Sequence, residues 1–154
     1  MDEETKLELS IGGLRFRVFG VPVPKGSTRA WISKKTGRAY VTDSAGVPLK
    51  SWSTNIQDRA LEAVKLLFKA EQPDLPLFPE GVPVTIDLGF AFARPKSAKK
   101  RLWPTVRPDL DKAIRGVLDA CTGILWADDS QVIVLSAHKQ YGEIPCCDVE
   151  VKAL

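Results

Sequence analysis

No apolar run in this chain approaches the roughly 20 residues that would cross a bilayer, so nothing in it is a candidate membrane span. The opening segment MDEETKLELS is acidic and polar where a secretory leader is basic and then apolar, and a cytoplasmic protein is the expectation. Histidine occurs once and no CxxC pair occurs at all, which removes the usual zinc donor sets. Cysteine occurs three times, an odd number, and Cys146 and Cys147 are adjacent and poorly placed to bridge one another, so a disulfide framework is not expected. Acid is missing locally. There is none from Leu9 to Thr42, where Arg15, Arg17, Lys25, Arg29, Lys34, Lys35 and Arg38 all fall, and none from Leu88 to Pro108, which holds Arg94, Lys96, Lys99, Lys100, Arg101 and Arg107.

What is present is globular composition: 154 residues, 44% apolar and 27% charged, enough for one ordinary domain over 1–154. The net charge of +3 is modest. The two acid-free blocks raise local positive potential far more than that total implies, and polyanionic phosphate backbone is the usual beneficiary. Any one basic block is about as often a solvated surface as a binding face. Two of them flanking an acidic cluster favour nucleic acid.

Leu14 to Val18 alternates apolar residues with Arg15 and Arg17, which predicts a half-buried strand with one basic face. The prolines and glycines of FGVPVPKGSTRA then forbid regular structure and leave Lys25 and Arg29 on a loop. Residues 30–42 read as a β-hairpin turning at Lys34 to Gly37. Thr54 to Gln57 carries a capping-box pattern that predicts a helix start, with Ile56, Ala60, Ala63, Val64 and Leu67 on its buried face. Val82 to Phe92 alternates strictly, the clearest strand pattern in the chain. The segment 94–108 is a basic loop expected to be mobile, and its Trp103 reads first as a loop anchor and second as a platform for an unpaired base. A helix from Leu110 to Gly123 follows, then strands over Gln131 to Tyr141 and Cys147 to Ala153. Residues 1–12 are expected to be a flexible or edge segment. The class is α+β, a single domain in which a mixed sheet is packed by two helices.

The chemistry concentrates in VRPDLDKAIRGVLDACTGILWADDSQVIV, residues 106–134. Asp109 and Asp111 lie two apart, which points side chains roughly 200° away from each other inside a helix. Pro108 and the N-cap preference of aspartate place Asp109 at the helix start, where both carboxylates can converge. Taken alone, Asp109 is better read as a cap stabilised by the helix dipole, and Asp128 and Asp129 as an ordinary turn. Three or more carboxylates gathered together repel unless a divalent cation or protonation relieves them, and hard oxygen donors favour Mg²⁺, with Mn²⁺ as a substitute. Arg115 could pair with Asp111 or neutralise charge on a phosphate. His138 reads as a packing or surface residue.

RPDLDKAIRGVLDACTGILWADDSQV closely resembles the signature of the RusA family of Holliday junction resolvases, found in bacteria, prophages and phages. The likeness extends to the FGVPVPKG turn and the order of elements. It implies a RusA-like fold and a homodimeric, Mg²⁺-dependent endonuclease that resolves four-way junctions by paired nicks in recombination and repair, with no small-molecule cofactor. By the same resemblance Asp109, Asp111 and Asp129 match the catalytic, metal-binding aspartates, with Asp128 beside them. Arg115 stands where the family has a catalytic lysine, and Lys112 where an asparagine is common. An arginine keeps the charge and cannot donate a proton at neutral pH. The candidate DNA contacts are Lys25, Arg29, Lys34, Lys35, Lys96, Lys99, Lys100, Arg101, Arg107 and Lys112. A nuclease for flaps or forks, and a module that grips branched DNA without cutting, are the alternatives.

Overall fold

The computed structural model describes residues 13–43 and 45–154; the expected N-terminal segment 1–12 and the side chain of Arg29 lie outside the described set. In chain order the elements are β1 (Leu14–Phe19), β2 (Thr28–Ile32), β3 (Ala39–Asp43), α1 (Gly46–Phe68), β4 (Val84–Ala93), α2 (Leu110–Cys121), β5 (Val132–Gly142) and β6 (Cys146–Ala153), with one-turn 3₁₀ segments at Lys96–Ala98 and Asp129–Gln131. Four strands form a mixed sheet in the order β1-β6-β4-β5, in which β4 and β5 are parallel and the other neighbours antiparallel. β2 and β3 form their own antiparallel hairpin. The fold is α+β, with two helices packing a mixed sheet.

β4 shows why the alternation was so legible. Ile86, Leu88 and Phe90 are buried, while Asp87 turns to the other face. The core gathers these with Val149 and Val151 of β6, Trp52, Ile56, Ala60 and Val64 of α1, and Ala113, Val117, Ala120 and Cys121 of α2. Full burial of each large apolar side chain contributes about 1.5–3 kcal/mol. All three thiols are free and buried. Burial holds the Cys121 thiol up at about 12 and pushes Cys147 higher still, so neither is a nucleophile near neutral pH.

Three sequence expectations need correction. The first helix begins at Gly46, eight residues before Thr54. Its buried stripe runs back from Ile56 to Trp52, and Pro48 is tolerated in a first turn whose N–H groups have no helical partner. Thr54 is interior, its hydroxyl donating to the Lys50 carbonyl at 3.0 Å. The basic face of β1 is neutralised, because β6 sets Glu150 opposite Arg15 and Asp148 opposite Arg17. Arg15 reaches Glu150 at 2.8 Å and Arg17 grips Asp148 with two donors at 2.6 and 2.9 Å. Trp103 is 63% exposed, too open for a buried loop anchor. The loop is held instead by buried Ala98, by Arg94 donating to the Ala98 carbonyl, and by Arg101 donating to the Tyr141 hydroxyl.

Candidate metal and nucleic-acid site

Pro108 ends the basic loop and Asp109 is the N-cap of α2, with extended backbone (φ −69°, ψ 137°). That is the position from which an aspartate normally accepts a backbone N–H two or three residues on. Asp109 does not: it makes no side-chain cap bond, and its nearest charged neighbour is Lys112 Nζ at 3.9 Å. Asp111, in the first turn, is exposed and has no ion-pair partner among the described residues. Two carboxylates are thus left open at the positive end of a helix dipole.

The segment 20–27 crosses α2 directly. The Lys25 N–H donates to the Lys112 carbonyl at 2.9 Å, and a Cβ on Gly116 would stand 3.2 Å from the Val23 carbonyl oxygen. Glycine at 116 is therefore a close-approach residue that lets the backbone lie on the helix. The crossing closes one side of a cleft of about 190 Å³ lined by Lys25, Gly26, Ser27, Asp111, Lys112 and Arg115. Arg115 is exposed on this wall and pairs with neither Asp111 nor Asp119 among the described residues. The partner of Asp119 is Lys25, which ties the crossing segment to the helix a second time.

At the other end of α2 the polypeptide turns at Gly123 (φ 85°) and reaches Asp128, the N-cap of the 3₁₀ turn. This aspartate does cap. The Ser130 N–H donates to Asp128 Oδ1 at 2.8 Å, and Gln131 completes a capping box. Hydrogen bonds from the Ser130 side chain and then its backbone hold the Asp128 carboxyl below the usual carboxylate range. Buried Gln131 also receives the N–H of Ala127 and Asp128 on its oxygen and donates to the Pro79 and Val82 carbonyls. Asp129 follows, exposed.

The two aspartate pairs are separated, not gathered, by the helix between them. α2 has 12 residues, ~18 Å of rise. Lys139, far along β5, donates to the Val106 and Pro108 carbonyls at 2.8 Å each, which fixes the Asp109 end beside the last third of that strand. Asp129 precedes its first residue, Val132. Accordingly, among the described residues no three His, Cys, Asp or Glu side chains stand close enough to hold a metal ion. Asp109 and Asp111 alone fit Mg²⁺, which keeps several waters and is commonly held by one or two carboxylates plus substrate phosphate.

The candidate DNA contacts divide by environment. Lys34 and Lys35 sit exposed at the hairpin turn, which closes with Gly37 at φ 66°. Lys96, Lys99, Lys100 and Arg107 are exposed along the loop before Asp109, whereas Arg101 and Lys25 are engaged within the chain and Lys112 lies beside Asp109. A larger hollow, about 740 Å³, is elsewhere, on the outer sheet face among Arg15, Arg17, Asp87, His138, Asp148 and Glu150. Its charges are largely spent on one another. Lys139 and Gly116 were not legible as site residues, since a lysine on a strand and a glycine in a helix carry no motif. The Asp128–Gln131 capping box was visible as D-x-x-Q.

No helix among the described residues is long and apolar enough to cross a membrane. The family model Endodeoxyribonuclease RusA matches residues 21–152, which takes in every element placed above except β1. The uncharacterized protein YqaN of Bacillus subtilis (strain 168) is 30% identical over 150 residues, covering 90% of this chain and 95% of its own length. The crossover junction endodeoxyribonuclease rusA of Lactococcus phage r1t is 31% identical over 75 residues, 48% of this chain and 57% of the phage protein. The chain belongs to the RusA family of endodeoxyribonucleases.

Proposed function

We propose that this protein is a Mg²⁺-dependent endonuclease that resolves four-way DNA junctions by paired nicks, in recombination and repair, acting in the cytoplasm as a homodimer. The observation that carries the reading is the Asp109 carboxylate that makes no cap bond, next to Asp111 and beside a cleft lined by Arg115, in a chain of the RusA family. The phage relative whose name specifies a crossover junction supports the choice of substrate.

In this reading Asp109 and Asp111 hold the cation, and Asp129 is a third ligand. A bound Mg²⁺ supplies Lewis-acid polarisation of the phosphodiester and a lowered pKa for an attacking water. Arg115 contributes a fixed positive charge to phosphate oxygens, a role that needs no proton transfer. Lys34 and Lys35 on the hairpin, with Lys96, Lys99, Lys100 and Arg107 on the loop, grip DNA backbone; Lys25, Arg29, Arg101 and Lys112 are the remaining candidates.

The test is incubation with a synthetic four-way junction and Mg²⁺, followed by mapping of the nicks. Symmetric nicks in two opposed strands are expected. Tight binding without cleavage in either Mg²⁺ or Mn²⁺ would make the protein a binding module, and cleavage confined to flaps or forks would replace the junction as substrate.

A further inference from the structure

Leu102 and Trp103 are exposed at 75 and 63%, two large apolar side chains in succession within a stretch, Leu88 to Pro108, whose only charges are basic. The other three tryptophans are accounted for. Trp52 and Trp126 are buried, and Trp31 stacks on Tyr40 with ring centroids 4.9 Å apart. Trp103 has no ring partner and no cation over its ring among the described residues.

The tip that carries this pair is held from both sides. Before it, the Arg101 N–H donates to the Ala98 carbonyl at 2.9 Å and the Arg101 side chain to the Tyr141 hydroxyl at 2.8 Å. Arg94 and Arg101 both lie against the Tyr141 ring, 5.7 and 6.0 Å from its centroid. After it, Pro104 is buried, the Thr105 N–H donates to the Trp103 carbonyl at 2.8 Å, and Lys139 holds the Val106 and Pro108 carbonyls. A ring presented on a backbone already tied down loses little conformational freedom when a ligand covers it.

A flat apolar ring among cations suits a ligand that is anionic and has aromatic faces, which is the chemistry of a base on a phosphate backbone. Continuous duplex hides those faces, because each base pair is covered by the next. A branch point opens them where the stacking of one arm ends. We infer that Trp103 stacks on a base face opened at the branch point of DNA, with Leu102 as the apolar wedge beside it, and that this contact makes the protein prefer branched to continuous DNA. The inference rests on the nuclease reading for the presence of DNA and adds to it a residue that recognises the branch. Trp103 is six residues from Asp109. That is at most ~21 Å of chain, so a ring seated at the branch leaves the metal site within one duplex turn of it, about 34 Å.

The test compares affinity for a synthetic four-way junction with affinity for a continuous duplex of the same length, in EDTA so that nothing is cut. Trp103→Ala should weaken junction binding on the order of 5- to 100-fold, the worth of one stacked base, and leave duplex affinity and the salt slope as in the wild type. Trp103→Phe should restore most of the preference, since any aromatic face can stack. Junction binding should also quench the tryptophan emission that Trp103→Phe removes, and duplex binding should not. Wild type that binds junction and duplex alike, equal losses on both DNAs in Trp103→Ala, or undiminished junction binding by Trp103→Ala overturns the inference. A smaller mass for Trp103→Ala in light scattering overturns it in favour of a contact between copies of the chain. Absence of cleavage in Mg²⁺ with the Trp103-dependent preference intact removes the nuclease reading alone; cleavage with no such preference removes this inference alone.

Discussion

Asp109 and Asp128 occupy the same kind of position in two turns that bracket α2, yet they are used differently. Both are N-caps with extended backbone, at φ −69°, ψ 137° and φ −146°, ψ 142°. Asp128 accepts the Ser130 N–H and sits in a reciprocal capping box; Asp109 accepts no cap bond and stands open beside Asp111. A cap whose carboxylate is occupied stabilises its own turn. A carboxylate left free at a helix N-terminus forgoes that contribution and keeps its oxygens available to a cation. The difference is that the Asp128 carboxylate is spent on its own turn and the Asp109 carboxylate is not spent on capping.

The strongest way to break this comparison is to remove each charge in turn. Asp109→Asn and Asp111→Asn are expected to abolish junction cleavage, because the cation loses its ligands, while junction binding persists or tightens as repulsion of phosphate falls. Cleavage gels and mobility shifts on the same preparations separate the two effects. Should both variants nick at the wild-type rate, the free carboxylates have another purpose.

Arg115 comes next in size. It shares the cleft with Asp111 and makes no ion pair with Asp111 or Asp119 among the described residues, so its charge is not consumed by its own helix. Arg115→Ala should slow single-turnover cleavage on the order of 10²-fold, a typical cost for one electrostatic stabiliser, and Arg115→Lys should retain most activity. A faster Arg115→Lys enzyme with a new alkaline pH dependence would show instead that this position needs a titrating group.

The elements were legible where one pattern dominated. β4 announced itself by period-two alternation because Ile86, Leu88 and Phe90 all face one core. α2 was placed from Leu110 because Pro108 and Asp109 mark its start, although its buried face centres on the small residues Ala113, Gly116 and Ala120. The start of α1 was misplaced because a local pattern at Thr54–Gln57 competed with Trp52, which packs beside Gly20, remote in sequence. For the same reason Arg15 and Arg17 read as an open basic strand face: their neutralising partners lie more than 100 residues away. The aspartates were found, but their separation was not, since it depends on α2 and β5 running in opposite directions.

The two turns also differ in the charge around them, and salt dependence sharpens that. The Asp109 side is preceded in the chain by exposed Lys96, Lys99, Lys100 and Arg107. Neutralising Lys99 and Lys100 together should reduce the slope of log K against log salt by up to about 2, close to one unit for each phosphate that a lysine no longer neutralises. An unchanged slope in the double variant would remove this loop from the DNA footprint.

The smallest effect tests the capping turn itself. Hydrogen bonds from Ser130 hold the Asp128 carboxyl below the ordinary carboxylate range, so its folded state binds a proton less readily than its unfolded state. The stability it contributes is therefore complete above the ordinary carboxylate value and is lost as pH falls through the lowered folded value. Asp128→Ala should lower the thermal midpoint at neutral pH, and the gap to wild type should narrow as the solution is acidified through that window. Asp128→Asn can still accept the Ser130 N–H, so it should keep more of the midpoint than Asp128→Ala and lose the pH dependence. Its cleavage should fall far less than that of Asp109→Asn. Equal losses of activity in the two asparagine variants, with no change in midpoint for Asp128→Asn or Asp128→Ala, would mean that both carboxylates serve the cation and that the capping bond is incidental.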